Sequence, residues 1–376
     1  MSKEKKLIPE LRFPEFEKFG EWDRKTLEFV ADSESSNLAL NKIEHKENGY
    51  PVYGADSIVG YIDEYQQVEK YISIVKDGSG VGRLNLCIPK SSILGTLACI
   101  KSKDLVKFKL DWIYYLMNTI DFTSYKKGSG IPHIYFSDFK IEPIGVPQPQ
   151  EQQKIASCLS SLDELLAAHN DKLDALKDHK KGLLQNLFPK EGETLPKVRF
   201  PEFEGDGEWV ENQLQENCHN ISSGKDKNQD DGEFDLYGST GIIGKTENAS
   251  YEGDYILVAR VGANAGLLNR ALGQFGVTDN TLVINLKDPE MVDFIFYSLD
   301  KIGLNKLVFG SGQPLVTGKQ LKELNLPIPK NPKEQQKNAS CLSAVDELIT
   351  AQQEKIEQLQ QHKKGLMQGL FPKIKT

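Results

Sequence analysis

Residues 241–246 read GIIGKT, and a Gly-Lys-Thr ending is what a phosphate-binding loop uses to hold nucleotide phosphates. That motif also needs a glycine separated from the Gly-Lys pair by four residues. Ser239 occupies this position, and Gly238 lies one residue too early. A similar stretch earlier in the chain has Tyr61 where this one has Lys245. The sequence therefore does not predict a nucleotide site here.

Two glycine-rich loops could approach a phosphate or another backbone closely. Residues 77–83 (DGSGVGR) and 261–267 (VGANAGL) each follow a short apolar run that is typical of a strand. A tight turn that needs the backbone freedom of glycine is the structural alternative, and the sequence leaves both interpretations open. The basic residues that flank the loops are Lys76, Arg83, Arg260 and Arg270.

Several other kinds of chemistry are not predicted. The five cysteines are an odd number without a CxxC pair, so neither a disulfide framework nor a metal site such as a zinc ribbon is indicated. No [DNS]PP[YFW] tetrapeptide and no PD-(D/E)xK cluster is present, which argues against a self-contained adenine methyltransferase or nuclease.

Charge and hydropathy limit the cellular location and the partners that the sequence predicts. No apolar run approaches the roughly 18 residues that a membrane span needs, and the Lys-rich start MSKEKK is not a signal peptide. We therefore expect a soluble, cytoplasmic protein with no membrane partner. The net charge of −8 predicts weak nonspecific DNA affinity, so a basic partner would supply much of any phosphate contact.

The elements that would position these loops are duplicated. Residues 151–190 recur as residues 334–373 at a constant offset of 183, sharing EQQK, ASCLS, DEL, HKKGL and LFPK in order. Upstream, RFPEF followed by GEW also recurs, and its Trp22 and Trp209 are expected to anchor the core. A YG hairpin, a glycine-rich loop, a helix and a GSGxP loop follow in each half, which predicts two similar halves.

Each repeated segment has a coiled-coil seam, in which residues alternate at spacings of four and three. The predicted helices are roughly 36 residues, or about 54 Å, long. Two ordinary duplicated core helices are the alternative, but exposed apolar stripes favour burial against each other. The apolar seam residues are Ile155, Leu159, Leu162, Leu166, Leu173, Leu176, Leu183, Leu187, Leu342, Val345, Ile349, Ile356, Leu359, Leu366 and Leu370.

Together and in this order, these motifs resemble the specificity (S) subunit of type I restriction–modification systems. The resemblance covers nearly the whole length. It rests on RFPEF followed by GEW, the proline-containing segment that leads into EQQK, HKKGL followed by LFP, and the twofold repetition of these motifs. It implies an α+β (mixed α/β) fold with two target-recognition domains, residues 1–150 and 191–333. Two long conserved helices, residues 151–190 and 334–376, would separate them as an antiparallel coiled coil with a pseudo-twofold repeat.

The resemblance also implies a function. Each domain would read one half of a bipartite, asymmetric site in double-stranded DNA, and the helices would set the spacer and dock two adenine-N6 methyltransferase subunits. Two restriction/translocase subunits would complete the complex. The chain itself would be noncatalytic and hold no cofactor, with S-adenosylmethionine, ATP and Mg²⁺ on the partners. Because Asn338 stands where the first helix has Ile155, the second helix is expected to start later or loosen there.

DNA-contacting residues do not carry over by motif, so candidates are chosen as side chains that can pair with phosphates or base edges. For each one, a solvated surface residue is the alternative. A duplicated coiled-coil scaffold that binds only proteins is the alternative function. The candidates are Lys76, Ser79, Arg83, Lys126, Lys127, Ser129, His133, Lys245, Arg260, Asn264, Arg270, Lys306, Ser311 and Gln313.

Overall fold

The structure is a computed structural model that describes residues 7–43, 48–128, 130–229, 231–309 and 314–374. It divides into two compact units. Unit 1 comprises Met1–Asn170 and Lys355–Thr376, and unit 2 comprises Asp171–Glu354. Each unit therefore contains one globular domain together with part of both long helices.

Unit 1 mixes short helices with short strands. Its strands are β1 (Asp23–Thr26), β2 (Ala31–Ser35), β3 (Tyr50–Tyr53), β4 (Ile58–Ile62), β5 (Tyr71–Val75), β6 (Leu84–Cys87), β7 (Ser92–Ile93), β8 (Leu97–Ser102) and β9 (Pro143–Val146). Its helices are α1 (Leu27–Val30), α2 (Leu110–Met117), α3 (Phe136–Phe139), the first part of α4 (Pro149–Leu187) and the end of α7 (Pro332–Leu370). It also has 3-10 turns at Pro14–Phe19, Leu40–Lys42 and Phe122–Tyr125.

The core of unit 1 lies between an antiparallel sheet and α2. The sheet has the order β2-β8-β5-β6, and its strand β5 is buried at every residue. Trp112 and Ile113 of α2 are fully buried in the same core. A separate sheet has the order β4-β3-β7, and the antiparallel pair β1-β9 joins the start of the domain to the strand before α4.

Unit 2 repeats this plan. Its strands are β10 (Val210–Gln213), β11 (Cys218–Ser223), β12 (Phe234–Gly238), β13 (Gly241–Thr246), β14 (Tyr251–Ala259), β15 (Leu268–Val277), β16 (Thr281–Leu286) and β17 (Asn325–Ile328). Its helices are the end of α4, α5 (Val292–Ile302), α6 (Gly318–Lys322) and the first part of α7 (Pro332–Leu370), with 3-10 turns at Pro201–Phe203, Leu214–Asn217, Pro289–Met291 and Leu304–Leu307.

The two domains differ in the number of sheets, and one strand accounts for the difference. In unit 2 the ten-residue β15 pairs with both β14 and β12, which joins six strands in the order β11-β16-β14-β15-β12-β13. In unit 1 the equivalent strand is split into β6 and β7 by Pro89, and Lys90 has a left-handed φ of 53°. Because proline lacks a backbone N–H, it interrupts strand pairing. The single sheet of unit 2 is therefore two sheets in unit 1.

The long helices α4 and α7 are each 39 residues long and run antiparallel within each unit. In unit 1, Ile155 and Leu159 near the start of α4 share a core with Leu370 at the end of α7. In unit 2, Leu187 at the end of α4 shares a core with Leu342 near the start of α7. The predicted antiparallel coiled coil is confirmed, with helices slightly longer than expected.

The seam residues are buried or partly buried, as the predicted phase requires. Neighbouring leucines on the outer face are exposed. Leu165 and its counterpart Leu348 are 42% and 56% exposed. The buried seam residues are Ile155, Leu159, Leu173, Leu187, Leu342, Val345, Ile356, Leu359 and Leu370, and the partly buried ones are Leu162, Leu166, Leu176, Leu183, Ile349 and Leu366.

The expectation that Asn338 would delay or loosen the second helix was wrong. Helix α7 begins at Pro332, which is the counterpart of Pro149 at the start of α4. Asn338 is buried, and its Nδ2 donates a long hydrogen bond of 3.5 Å to the Leu187 carbonyl. The last carbonyls of a helix have no partner within that helix, so the amide satisfies one of them.

Within the residues that the structure describes, no helix is both long enough and apolar enough to cross a membrane. Polar and charged residues make up most of the outer faces of α4 and α7.

We expect Leu159→Ala and Leu342→Ala each to destabilise the protein by about 2–5 kcal/mol, because both side chains are fully buried and truncation leaves a cavity. Leu165→Ala and Leu348→Ala are matched controls on the same helices, and an exposed site should change stability by no more than about 0.5 kcal/mol. Urea unfolding followed by circular dichroism measures both. Equal losses at seam and control positions would contradict the seam assignment.

Candidate nucleic-acid interface

Two loops that are distant in sequence meet beyond the end of strand β5 in unit 1. The Gly78 amide donates to the Pro132 carbonyl at 2.9 Å. Lys127 and His133 exchange backbone hydrogen bonds, each of 2.9 Å, which close the second loop. The structure thereby brings together candidates from both loops, namely Lys76, Ser79, Lys126, Lys127 and His133.

The tip of the β3–β4 hairpin lies against the glycine-rich loop. Arg83, at the end of the glycine-rich loop, forms an ion pair with Asp56 at this tip. Asn85 Nδ2 donates to the Ala55 carbonyl at 3.4 Å. Ile58 is exposed on the same hairpin. Unit 1 thus presents three adjacent loops, of which the sequence had marked only two.

Unit 2 has an equivalent group of three loops. The Gly262 amide donates to the Pro314 carbonyl at 3.0 Å, which joins the glycine-rich loop to the end of the GSGxP segment. The Arg260 amide donates to the Asn280 carbonyl at 2.8 Å, and Ser239 Oγ at the hairpin tip donates to the same carbonyl at 3.2 Å. The candidates on or beside these loops are Arg260, Asn264 and Lys306.

Packing requires the last glycine of each glycine-rich loop. Gly82 has a φ of +91°, and an added Cβ would lie 2.8 Å from the Cβ of Phe122. Gly266 has a φ of +90°, and an added Cβ would lie 2.5 Å from the backbone nitrogen of Asn305. Such backbone conformations strain other residues, and the space is closed. At these two positions the structure supports the tight-turn interpretation.

Some candidate cations are already paired with carboxylates of their own unit. Lys127 Nζ lies 2.7 Å from Asp138 Oδ1, and this hydrogen bond lowers the pKa of Asp138. Lys245 Nζ lies 2.8 Å from Asp235 Oδ1 on the neighbouring strand. Both lysines are solvent-exposed, and exposed pairs contribute little stability. An approaching phosphate can therefore replace these carboxylates at small cost.

Arg270 does not join the three loops of unit 2. It lies on β15, where its guanidinium pairs with Asp254 and Asp293. Hydrogen bonding to Asp254 raises the pKa of Arg270. Its neighbours include Phe296 and Tyr297 of α5. Two carboxylates thus neutralise the charge that the sequence had offered as a flank of the glycine-rich loop.

Three candidates, Ser129, Ser311 and Gln313, lie outside the described residues, so their contact with DNA stays a prediction. Sequence reasoning missed several exposed apolar side chains beside them. Ile131 is 71% exposed, Phe309 and Tyr135 are about half exposed, and the Tyr135 ring lies 5.3 Å from that of His133. Apolar groups can contact thymine methyls. Their only signal in the sequence is their position at the GSGxP motif.

A buried ion pair holds the start of α4 against the N-terminal segment. Arg12 Nε and Nη2 each donate to one carboxylate oxygen of Glu151 at 2.8 Å, and Nη1 donates to the Gly20 carbonyl. Trp22 Nε1 donates to Glu151 Oε1 at 3.1 Å. The Arg12 and Glu151 side chains are only 8% and 1% exposed. We call this group the helix clamp.

A second helix clamp holds the start of α7. Arg199 donates to both carboxylate oxygens of Glu334 at 2.7 Å and to the Gly207 carbonyl at 2.8 Å. Trp209 Nε1 donates to Glu334 Oε1 at 3.1 Å. The hydrogen bonds to Glu334 raise the pKa of Arg199. The repeated motifs RFPEF, GEW and EQQK supply these residues, but their mutual contact was not predicted.

A polar triad joins each domain to the helix pair. In unit 1, the Tyr115 hydroxyl of α2 donates to Asp163 Oδ2 of α4 at 2.7 Å. Lys363 of α7 pairs with the same carboxylate, and its Nζ lies 5.6 Å from the centroid of the Tyr115 ring. Three separate elements therefore meet at one carboxylate.

Unit 2 contains the equivalent triad. The Tyr297 hydroxyl of α5 donates to Asp346 Oδ2 at 2.8 Å, and Lys180 Nζ lies 2.8 Å from Asp346 Oδ1. Lys180 Nζ also lies 5.4 Å from the Tyr297 ring centroid. Burial, and then the neighbouring aspartate, raise the pKa of both Tyr297 and Tyr115. Both hydroxyls therefore remain protonated donors at neutral pH.

The three-loop group of each unit forms an exposed surface that can bind a ligand. In the described part of the chain, no group of three or more His, Cys, Asp or Glu side chains could hold a metal ion. Each unit instead presents exposed cationic, polar and apolar side chains on adjacent loops. Such mixed surfaces can contact phosphates, base edges and thymine methyls.

A family model described as the type I restriction modification DNA specificity domain matches the chain twice, over residues 20–178 and 184–361. The chain is 29% identical over 339 residues to the type I restriction enzyme MjaVIII specificity subunit of Methanocaldococcus jannaschii. That similarity covers 81% of this chain and 78% of the relative.

Solved structures share the fold. The S subunit of a type I restriction–modification system from M. genitalium superimposes with a TM-score of 0.71 at 18% identity, covering 98% of this chain and 100% of that one. A chain from a study of complex assembly and conformational transition of the type I R-M system gives a TM-score of 0.54 at 16% identity. It covers 93% of this chain and 97% of that one.

We expect Glu151→Gln and Glu334→Gln each to destabilise the protein by about 3–5 kcal/mol, because the neutral amide leaves a buried arginine without its counter-charge. Glu164→Gln and Glu347→Gln remove exposed carboxylates at equivalent points of the same helices and serve as controls. Differential scanning calorimetry gives the comparison. A clamp variant as stable as its control would show that the buried pair does not hold the helix start.

Proposed function

Because the chain belongs to the family of type I restriction–modification DNA specificity domains, we infer that it is the DNA-recognition subunit of a type I restriction–modification complex. The observation that carries this function is the double family match, one over residues 20–178 and one over 184–361. The similarity to a type I specificity subunit along most of both chains supports it. A scaffold that binds only proteins has no comparable support.

Each three-loop surface would read one half of a bipartite, asymmetric DNA site. The two surfaces share a backbone plan but differ in side chains: His133, Tyr135 and Lys126 in unit 1, against Asn264 and Lys306 in unit 2. Phosphate contacts orient a protein on DNA, whereas sequence is read through contacts to base edges. Two surfaces of different chemistry would therefore read two different sequences.

The complex would contain, besides double-stranded DNA, two adenine-N6 methyltransferase subunits and two restriction/translocase subunits. This chain would be noncatalytic, and S-adenosylmethionine, ATP and Mg²⁺ would bind to the partners. Its net charge of −8 supports a contribution of the partners to DNA contact, because an acidic chain alone gains little from phosphate contact. A cytoplasmic location would give such a complex access to DNA.

The helix pair would set the number of bases between the two half-sites. Helix α4 is continuous from Pro149 to Leu187, so residues 149–170 lie in unit 1 and residues 171–187 in unit 2. Helix α7 likewise contributes to both units. A continuous helix has a length fixed by its residue count, unlike a flexible linker.

The function is tested by expressing the chain with a methyltransferase partner in a host that lacks other adenine methylation. Genome-wide mapping of N6-methyladenine should return one bipartite motif. Combining His133→Ala with Tyr135→Ala should relax one half of the motif, since each lost base contact costs about 1–3 kcal/mol, and leave the other half unchanged. Val106→Ala removes a comparably exposed apolar residue outside these loops and should leave both halves intact.

Two outcomes would count against this function. If the unaltered chain supported no motif with any methyltransferase partner of this kind, DNA recognition itself would be the wrong assignment. If the loop variant relaxed both halves together, the units would not read independently.

Inserting seven residues into both helices, after Leu176 and after Ile349, should lengthen the spacer and keep activity. Seven residues preserve the seam phase and add about 10 Å, which is up to roughly three base pairs at 3.4 Å each. The same insertion in α4 alone moves Lys180 out of reach of Asp346 and should reduce methylation. Methylation mapping reports the spacer. An unchanged spacer with full activity in the double insertion would show that the helices do not measure DNA.

A further inference from the structure

The two polar triads have a role that the apolar seam cannot perform. We propose that Tyr115–Asp163–Lys363 and Tyr297–Asp346–Lys180 are positioning residues that set the axial register of α4 against α7, and through it the spacer length. The register itself follows from the contacts in each unit. The link from register to spacer rests on the function proposed above.

An apolar seam alone does not define one register. Its residues recur at four-three spacings, so sliding one helix by seven residues again places apolar groups opposite apolar groups. The same slide would move Asp163 from Lys363 to Ile356 or Leu370. A partly buried carboxylate would then face an apolar side chain and lose its cationic partner, which is unfavourable.

The equivalent slide in unit 2 has the same consequence. It would move Asp346 from Lys180 to Leu173 or Leu187, both of which are buried seam residues. A polar group at one seam position is an established way for coiled coils to select a single register. The chain carries this device in both units, at positions related by the sequence repeat.

The triads differ from ordinary surface ion pairs because their charged side chains are partly buried. The side chains of Lys363 and Asp163 are 21% and 38% exposed, so the charges are less screened than fully exposed ones. By contrast, Lys177 and Asp174 form an exposed pair within one turn of α4. Because both residues belong to the same helix, this pair does not depend on the register between α4 and α7.

The tyrosine extends the effect from the helices to the domain. Because the Tyr115 hydroxyl donates to the carboxylate that Lys363 also contacts, α2 is tied to the same register as the helix pair. In unit 2, Tyr297 ties α5 in the same way. A shift between the helices would therefore break the attachment of the recognition domain as well.

The experiment uses the full chain assembled with its methyltransferase partner. Substrates are duplexes in which the two half-sites are separated by the native spacer or by one to three bases more or fewer. The variants are Asp163→Lys, Lys363→Asp and the two combined, with Tyr115→Phe as an isosteric change that removes only the hydroxyl. Asp174→Lys reverses an exposed charge on α4 and is the control.

Each single reversal should lower the preference for the native spacer over neighbouring lengths by roughly tenfold, and the combined reversal should restore it. Tyr115→Phe should lower the preference in the same direction, and Asp174→Lys should leave it unchanged. The matching exchange in unit 2 should restore less, because Lys180 Nζ also lies 3.4 Å from Asp300, which would face the new aspartate.

A single reversal that reduced methylation equally at every spacer, with its preference unchanged, would overturn the inference and leave a merely stabilising role. If the reversed variants failed to fold, an unchanged spacer preference in Tyr115→Phe would overturn it equally. Failure of the unaltered chain to select any spacer would instead contradict the proposed function.

Discussion

The buried pair of arginine and glutamate at the start of each long helix is the interaction on which the rest of the structure depends. Arg12 uses two nitrogens on Glu151 and a third on the Gly20 carbonyl, while Trp22 donates to the same carboxylate. Removing one partner leaves an uncompensated charge in the core, so the pair tolerates no alternative helix start. The clamp therefore fixes the start of each long helix against the N-terminal segment of its own domain.

The helix clamps and polar triads, which form the framework of the protein, are closely repeated in the two units, whereas the side chains of the binding surfaces are not. Framework polar groups recur with nearly the same geometry in both units: the clamp bonds of Arg12 and Arg199 differ by only 0.1 Å, being 2.8 and 2.7 Å. The loops share only their backbone plan. A change as small as Pro89 divides one sheet into two without disturbing the clamp or the triad. Loops tolerate such variation because their side chains face solvent rather than a packed core.

Unit 1 combines two separate stretches of the chain, whereas unit 2 is the single stretch Asp171–Glu354, and each core takes residues from both long helices. The core of unit 1 includes Leu370 and Phe371 from the end of α7, and the core of unit 2 includes Leu187 and Phe188 from the end of α4. Each recognition domain therefore completes its hydrophobic core with the far end of the other repeat's helix. The helices are therefore part of both units, and a shift of either helix would disturb both cores. The polar triads oppose such a shift.

The sequence by itself determined the two halves and the long helices, because repetition and four-three periodicity can be read directly from the order of residues. The antiparallel pairing of the helices was implied by the resemblance to type I specificity subunits. Only the tertiary structure decided which polar groups meet. Arg12 and Glu151 are 139 positions apart, three loops converge in each unit, and Asn338 finds the Leu187 carbonyl instead of disrupting its helix. Periodicity encodes which side chains are buried, but a polar group's partner depends on where distant segments are brought by the fold. For the same reason, Arg270 was predicted beside a glycine-rich loop and is instead neutralised by two aspartates that only the folded sheet and helix place within reach.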